Sequence, residues 1–126
     1  MQDKTTAVIS DHIGLAKDFL ARSKAYLDQG DLHQASEKGW GAAAHMVKAI
    51  AIFRNWDYES HDQFDLVVNN AREYFRQPDL RIWGRSAQIL HRNYYLHPSL
   101  LDARFIGEDI QDVESFIGAV EPLISS

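Results

Sequence analysis

The spacing of the apolar residues confines this chain to helices. Near both ends, side chains that are nearly all apolar recur at alternating intervals of four and three residues, which is the period of an amphipathic helix. The two stripes are Ile9, Ile13, Ala16, Leu20, Ser23 and Leu27, and Ile106, Ile110, Val113, Ile117, Val120 and Ile124. No segment alternates with a period of two, so the sequence predicts no β-strand.

Turn and capping residues divide the chain into five predicted helices. Gly30 ends the first helix, Ser60 is an N-cap for the third, and Pro78 and Pro98 bound the fourth. The core positions of the middle three helices are Leu32, Ala35, Gly39, Ala42, Ala43, Met46, Ile50 and Phe53; Phe64, Val67, Val68, Ala71 and Phe75; and Leu80, Trp83, Ala87, Leu90 and Tyr94. Short connections favour antiparallel neighbours, so we predict an all-α, up-and-down bundle of four or five helices in one domain over residues 1–126.

The second predicted helix is rich in small residues. Gly39 and Gly41 each cost a helix about 1 kcal/mol relative to Ala, and a close approach of neighbouring helices would offset that cost. Apolar side chains also extend beyond a single stripe, at Val47, Ala51 and Ile52. Two explanations are open: the helix is central to the bundle, or one of its faces meets a second subunit.

Composition excludes several classes of protein. The chain has no cysteine, which removes disulfide scaffolds, thiol nucleophiles and iron–sulfur clusters. No apolar run approaches the roughly 18 residues of a membrane span, and the polar segment at residues 1–6 lacks the apolar stretch of a signal peptide. We therefore expect a cytoplasmic protein with no membrane association. The net charge of -5 argues mildly against indiscriminate nucleic-acid binding.

The charges are unevenly distributed along the chain. Arg81, Arg85, Gln88 and Arg92 step by four and three residues and share one face of the fourth helix. This face could be solvated, or it could bind the phosphates of RNA, because a guanidinium grips phosphate in a bidentate manner. A third interpretation is pairing, within or between subunits, with the acidic residues of the fifth helix, which are Glu108, Asp109, Asp112, Glu114 and Glu121.

Two histidines accompany these arginines and could supply acid–base chemistry. Arg92 and His97 are five residues apart, so they converge only if His97 lies outside the helix, which Pro98 favours. Arg85 and His91 are a weaker pair, because about 120° of helix separates them.

The other histidines are weaker candidates. His45 is expected to pack or to form an interface hydrogen bond, while His12, His33 and His61 lie near predicted helix ends. No ligand spacing predicts a metal site, and no glycine-rich loop predicts a nucleotide cofactor, so no cofactor is expected.

Two segments resemble a known family. They are ASEKGWGAAAHMVKAI at residues 35–50 and LHRNYY at residues 90–95. The first is similar to the second-helix signature of the HEPN superfamily, especially its PaREP-like branch, and the second to a shorter motif of the same branch. The resemblance implies a helical bundle that commonly dimerises, with links to nucleotidyltransferases, toxin–antitoxin systems and RNA cleavage.

The resemblance supports two main hypotheses. The favoured one is a homodimeric binding or partner module of nucleotide or RNA biology, with a nucleotidyltransferase as candidate partner. Its candidate binding residues are Arg81, Arg85, His91, His45 and Tyr94. The alternative is a metal-independent ribonuclease in which Arg92, Asn93 and His97 match the family's short Arg-to-His motif. A metal-dependent helical hydrolase is the least favoured.

Overall fold

The computed structural model describes residues 4–125, so the first three residues of the polar N-terminal segment and Ser126 lie outside it. It contains five α-helices: α1 (Lys4–Asp28), α2 (Leu32–Arg54), α3 (Phe64–Phe75), α4 (Leu80–Asn93) and α5 (Ala103–Ile124). Short 3-10 turns, His61–Gln63 and Pro98–Leu100, precede α3 and α5. Within residues 4–125 there is no strand, which confirms the prediction of an all-helical chain.

The predicted stripes of α1 and α5 form the core. On α5 all six predicted positions are buried, and on α1 all but Leu27, which is partly buried. Near the end of α1, the buried Ser23 hydroxyl donates a 2.6 Å hydrogen bond to the carbonyl of Ala35 on α2. Two ion pairs join the outer faces of α1 and α5, Lys17 with Glu121 and Lys24 with Glu114. Acidic side chains of α5 are therefore met by lysines of α1.

Helix α2 is the centre of the bundle, as one of the two explanations for its small residues predicts. It packs against each of the other four α-helices, and eleven of its residues are buried. A Cβ atom added at Gly39 would lie 2.8 Å from Leu90 Cδ1, 3.2 Å from Ser23 Oγ and 3.5 Å from Ile110 Cγ1. Three helices therefore close on α2 at a position that only glycine fills without displacement.

Gly41 has a different role from Gly39. A Cβ atom there would make only ordinary contacts, the nearest being 3.6 Å from the ring of Phe19. The prediction of close helix approach thus holds for Gly39, while Gly41 opens space beside a surface cleft.

The turns follow the chemistry of their residues. Gly30 has φ of +80°, and the Asp31 side chain accepts from the backbone N–H of Gln34 at 3.2 Å, which ends α1 and starts α2. Asn55 ends α2 in the left-handed conformation. Gln63 reaches back to accept from the backbone N–H of Ser60, as in a capping box, and this leads into α3.

The end of α4 differs from the prediction. The helix stops at Asn93, and Tyr94, expected on the core stripe, is 40% exposed with its ring edge against His33. Because Pro98 disfavours helix at the residue before it, the backbone leaves the helix ahead of that position. Three further apolar side chains of this segment and the start of α5, Tyr95, Leu100 and Phe105, are 75%, 67% and 53% exposed.

None of the helices in the described part of the chain combines the length and apolar character that a bilayer crossing requires.

Candidate ligand-binding cleft

One surface cleft brings together three histidine and three aromatic side chains. It has a volume of about 370 Å³ and lies between α1, α2 and the loop that leads to α3. We call it the histidine cleft; its lining residues are His12, Phe19, Trp40, Gly41, Ala44, His45, Lys48, Tyr58 and His61. This volume falls in the range of roughly 300–1,000 Å³ that is typical of small-molecule sites.

The floor of the histidine cleft is one face of α2. Gly41, Ala44, His45 and Lys48 follow each other at helical spacing, so they share a face. The two small residues leave the space, while the other two supply an imidazole and an ammonium group. Two turns of α1 contribute the wall, since His12 and Phe19 are seven residues apart.

His12 and His45 form a direct pair across the two helices. Their Nδ1 atoms are 3.1 Å apart, so one ring donates a hydrogen bond and the other accepts it. The ring of Phe19 stacks on His45 at a centroid distance of 5.2 Å and an interplanar angle of 11°. This packing holds both imidazoles in place, and their hydrogen bond can carry only one proton.

The electrostatic surroundings favour the neutral form of the pair. Burial lowers the pKa of His12, and the nearby Lys48 ammonium lowers it further, although Asp11 acts in the opposite direction. Burial also lowers the pKa of His45, with a further contribution from His12. At neutral pH the two rings are therefore uncharged, a state in which they can accept as well as donate protons.

A second histidine pair lies at the other side of Trp40. The His91 ring stacks on the indole at 4.4 Å, and His61 lies edge-on to it at 5.1 Å. The centroids of His61 and His91 are 5.1 Å apart, and Tyr95 meets His91 edge-on. Burial lowers the pKa of His91, as does the neighbouring His61. Trp40 thus connects the cleft to the predicted binding residue His91.

Lys48 and Tyr58 close the end of the histidine cleft. The Lys48 ammonium donates a 3.0 Å hydrogen bond to the Tyr58 carbonyl and lies 5.8 Å from the centre of its ring. The Tyr58 hydroxyl is buried and has no hydrogen-bond partner among residues 4–125. Burial also raises the pKa of Tyr58 to about 12. Tyr58 lines the cleft, and its neutral, unpaired hydroxyl would reach a ligand there by a movement of the side chain.

The predicted arginine face does not join this cleft. Arg81 and Arg85 are exposed and line a smaller depression of about 120 Å³ with Asp65 and Asn69 of α3. Gln88 of the same face lies 3.4 Å from the Asp65 carboxylate. In the described chain none of the three predicted arginines forms an ion pair with a carboxylate within 4 Å.

The predicted catalytic residues have separate neighbours. Asn93 is buried at the end of α4, and Arg92 is exposed. His97 lies outside the helix, where its Nδ1 accepts a 3.1 Å hydrogen bond from the backbone N–H of Ser99 and also contacts the Ser99 hydroxyl. The sequence predicts that His97 can approach Arg92 only from outside the helix, and His97 does lie outside it.

Between α4 and α5 lies a small acidic cluster. Burial raises the pKa of Asp109 to about 6, and the neighbouring carboxylates of Asp112 and Glu108 add to the effect, whereas Ser86 and Arg92 oppose it. The Ser86 hydroxyl donates a 2.6 Å hydrogen bond to Asp112. Arg92 has the smallest of these effects and forms no ion pair with a carboxylate in the described part of the chain.

Among residues 4–125, no three histidine or acidic side chains lie together in a way that could hold a metal ion. The cleft is therefore described by its hydrogen-bonding and stacking groups.

Comparison with protein families assigns the chain to one of them. The model of the archaeal PaREP1/PaREP8 family matches residues 11–117. The chain belongs to this family. No curated protein and no solved structure matches the chain. In this PaREP1/PaREP8 protein, the family match includes every residue that lines the histidine cleft.

The sequence predicts His45 in the cleft and His91 beside it as binding residues, and it gives His12 and His61 as weaker candidates. It does not single out Phe19, Lys48 or Tyr58, which also line the cleft. The pattern places His12 near a helix end, whereas α1 begins at Lys4 and His12 lies well inside it. One signal was present in the sequence, since His45 and Lys48 follow Gly41 and Ala44 at helical spacing, away from the core stripe. The pairing with His12 depends on how α1 packs, which no local pattern specifies.

Proposed function

We propose that this PaREP1/PaREP8 protein binds a small anionic aromatic ligand of the nucleotide class in the histidine cleft. The carrying observation is the convergence of a neutral histidine pair, one ammonium group and an unpaired buried hydroxyl in a single cleft. The Phe19 and His12 rings offer apolar contact to a base. Lys48 offers a charge-assisted contact to a phosphate, and Tyr58 a further donor.

Isothermal titration calorimetry with adenosine 5′-monophosphate (AMP), uridine 5′-monophosphate, adenosine and inorganic phosphate tests this proposal. We expect a Kd below about 1 mM for a nucleoside monophosphate and weaker binding of adenosine, which lacks the phosphate. Lys48→Met should weaken nucleotide binding about tenfold or more, because it removes the charge-assisted contact. Lys24→Met is the matched control, since it removes an exposed lysine whose ion pair lies outside the cleft.

Tyr58→Phe tests the hydroxyl separately. This variant should bind the nucleotide about fivefold more weakly without loss of folding stability, because the deleted hydroxyl has no partner in the free protein. Failure of all four compounds to bind, or equal binding by the Lys48→Met variant, would contradict the proposal.

We further propose that the protein is a homodimer with the HEPN type of bundle, in which a nucleotidyltransferase is the candidate partner. The residues 35–50 that resemble the HEPN signature support the fold, and the exposed Tyr95, Leu100 and Phe105 supply apolar surface for association. Light scattering coupled to size-exclusion chromatography should give the mass of two chains at tens of micromolar. A monomer at that concentration would remove the dimer.

A second candidate function is metal-independent cleavage of RNA by Arg92, Asn93 and His97. The position of His97 beyond the end of α4 favours this function. With a spacing of five residues, His97 could not approach Arg92 from within a regular helix. Labelled RNA incubated with the protein in EDTA should then be cut, and Arg92→Ala and His97→Ala should each abolish cleavage. Intact RNA, or cleavage unchanged in both variants, would eliminate this function.

A further inference from the structure

In the histidine cleft, Lys48 and the His12–His45 pair together hold two positive charges at most. Lys48 carries one. The His12–His45 pair can add one proton and no more, because two imidazolium rings whose Nδ1 atoms are 3.1 Å apart would repel each other strongly. These three side chains therefore have a charge capacity of +2. Because the pKa values of both histidines are lowered, only the lysine among them carries a charge in the free protein at neutral pH.

Other charged and titratable groups surround the pair. Asp11, on the same helix as His12, favours a proton on the pair, and Lys48 opposes it. The remaining titratable groups that face the pair are His61, which lines the cleft from the 3-10 turn before α3, and Tyr58 from the loop. The Lys38 ammonium lies 5.3 Å from the centre of the Phe19 ring, which stacks on His45. Burial is the main cause of the lowered pKa of His12, and repulsion from Lys48 is the second. An anion beside Lys48 would offset this repulsion.

We propose that the histidine cleft recognises a terminal phosphate, the dianion of a phosphomonoester, and that the His12–His45 pair takes up one proton from solvent when it binds. This inference rests on the proposed function and names its ligand more closely. The added proton binds the free Nε2 of the ring whose Nδ1–H donates within the pair, so the hydrogen bond between the Nδ1 atoms is kept. Each ring then has an Nε2–H that can donate to a phosphate oxygen, while Lys48 neutralises the second charge. An internal phosphodiester carries one negative charge, which Lys48 balances alone, so it gives no reason for proton uptake.

Calorimetry in two buffers of different ionisation enthalpy, Tris and HEPES at pH 7.5, measures the protons exchanged on binding. At this pH AMP is almost entirely dianionic, because its second phosphate pKa is about 6. We expect the protein to take up close to one proton when it binds AMP and none when it binds the methyl ester of AMP. AMP should also bind at least tenfold more tightly than the ester. Equal affinities without proton uptake by either compound would overturn the inference and leave nucleotide binding in place. Failure of both compounds to bind would remove the proposed function itself.

Two variants identify the group that takes the proton. The double variant His12→Asn, His45→Asn should bind AMP without proton uptake and should no longer prefer it to the ester. His33→Asn is the control: His33 donates to the Leu96 carbonyl at 2.7 Å, outside the cleft, so its removal should leave the uptake unchanged. Uptake retained by the double variant would assign the proton to another group and overturn the inference. Circular dichroism confirms that each variant is folded.

The same terminal phosphate could come from a free nucleotide or from the end of an RNA chain. A 5′-phosphorylated hexanucleotide and its 5′-hydroxyl counterpart separate these sources. Tighter binding of the phosphorylated form with proton uptake supports recognition of an RNA end. If only AMP binds with uptake, the cleft takes the free nucleotide. Equal binding of both hexanucleotides, at the affinity of AMP and without uptake, would contradict terminal-phosphate recognition.

Discussion

At the scale of single residues, two buried serines of the core contrast with each other. The Ser23 hydroxyl donates to the Ala35 carbonyl and joins α1 to α2. The Ser36 hydroxyl, one position further along α2, is also buried but has no partner in the described part of the chain. A buried hydroxyl that forms no hydrogen bond costs the folded state its desolvation free energy, while a bonded one returns most of it.

We predict opposite effects for the two alanine variants. Ser23→Ala should lower the free energy of unfolding by about 1 kcal/mol, because it removes a hydrogen bond and leaves the carbonyl partly unsatisfied. Ser36→Ala should leave it unchanged or raise it slightly. Urea denaturation followed by circular dichroism measures both, and a loss as large for Ser36→Ala as for Ser23→Ala would contradict the assignment.

Asp109 has a consequence for the pH dependence of stability. Its pKa is about 6 in the folded protein against an ordinary value of 3.8, so between these values the folded state binds more protons than the unfolded state. Stability from this group is therefore greatest at low pH and is lost as the pH rises from about 4 to 6. Asp109→Asn should gain stability over the parent protein across that window and keep the gain above it. A difference that does not vary with pH would show that Asp109 titrates as an exposed carboxyl.

At the scale of helices, the glycines of this chain are not equivalent. Gly39 lies where α1, α4 and α5 close on α2, whereas Gly14 on α1 has open space where a Cβ would be. Helix propensity favours alanine at both positions by about 0.5–1 kcal/mol. Only at Gly39 does packing oppose the preference for alanine.

Gly39→Ala should therefore destabilise the protein by about 1–3 kcal/mol, because Leu90 and Ser23 must move within a filled core. Gly14→Ala should stabilise it by about 0.5–1 kcal/mol. Thermal unfolding of the two variants in parallel checks this pair. An increase in Tm for Gly39→Ala would mean that the neighbouring helices relax more easily than the geometry indicates.

The helices themselves could be predicted from the sequence because their information is local. The four-and-three spacing of α1 and α5 identifies their buried positions, and Gly30 follows closely on the end of α1. The misplacement of Tyr94 shows the limit, since periodicity continued past the residue at which the backbone left the helix.

The histidine cleft could be predicted only in part, for a physical reason. His45 stands out within its own helix, but its partner His12 is 33 residues away and belongs to another helix. Which face of α1 meets α2 depends on the packing around Gly39. That packing is determined jointly by α1, α4 and α5, which all contact α2 there. The arginine face, conspicuous in the sequence, belongs to α4, which contributes no lining residue to the cleft.

At the scale of the whole molecule, the histidines give the fold a common response to acid. Burial lowers the pKa of His12, His45 and His91 below 6.5, so the unfolded state binds more protons than the folded state as the pH falls through that value. Stability from these groups is complete above about pH 6.5 and is lost in more acidic solution.

We expect the midpoint of urea unfolding to fall between pH 7 and pH 5 in the parent protein and to fall less in the double variant His12→Asn, His45→Asn. Titration by NMR of the imidazole protons gives the individual pKa values. If the urea midpoint of the double variant fell with pH as steeply as that of the parent protein, other groups would control the response to acid. The contribution of Asp109 has the opposite sign and is common to both proteins, so it cancels in the comparison.

The central position of α2 also determines how ligand binding in the cleft would affect the rest of the chain. One face of this helix lines the cleft, and the others pack against α1, α3, α4 and α5. A helix held on so many sides exchanges its amide hydrogens only when the whole molecule opens. A ligand in the cleft would therefore slow hydrogen exchange throughout the core, rather than order a loop at its own site.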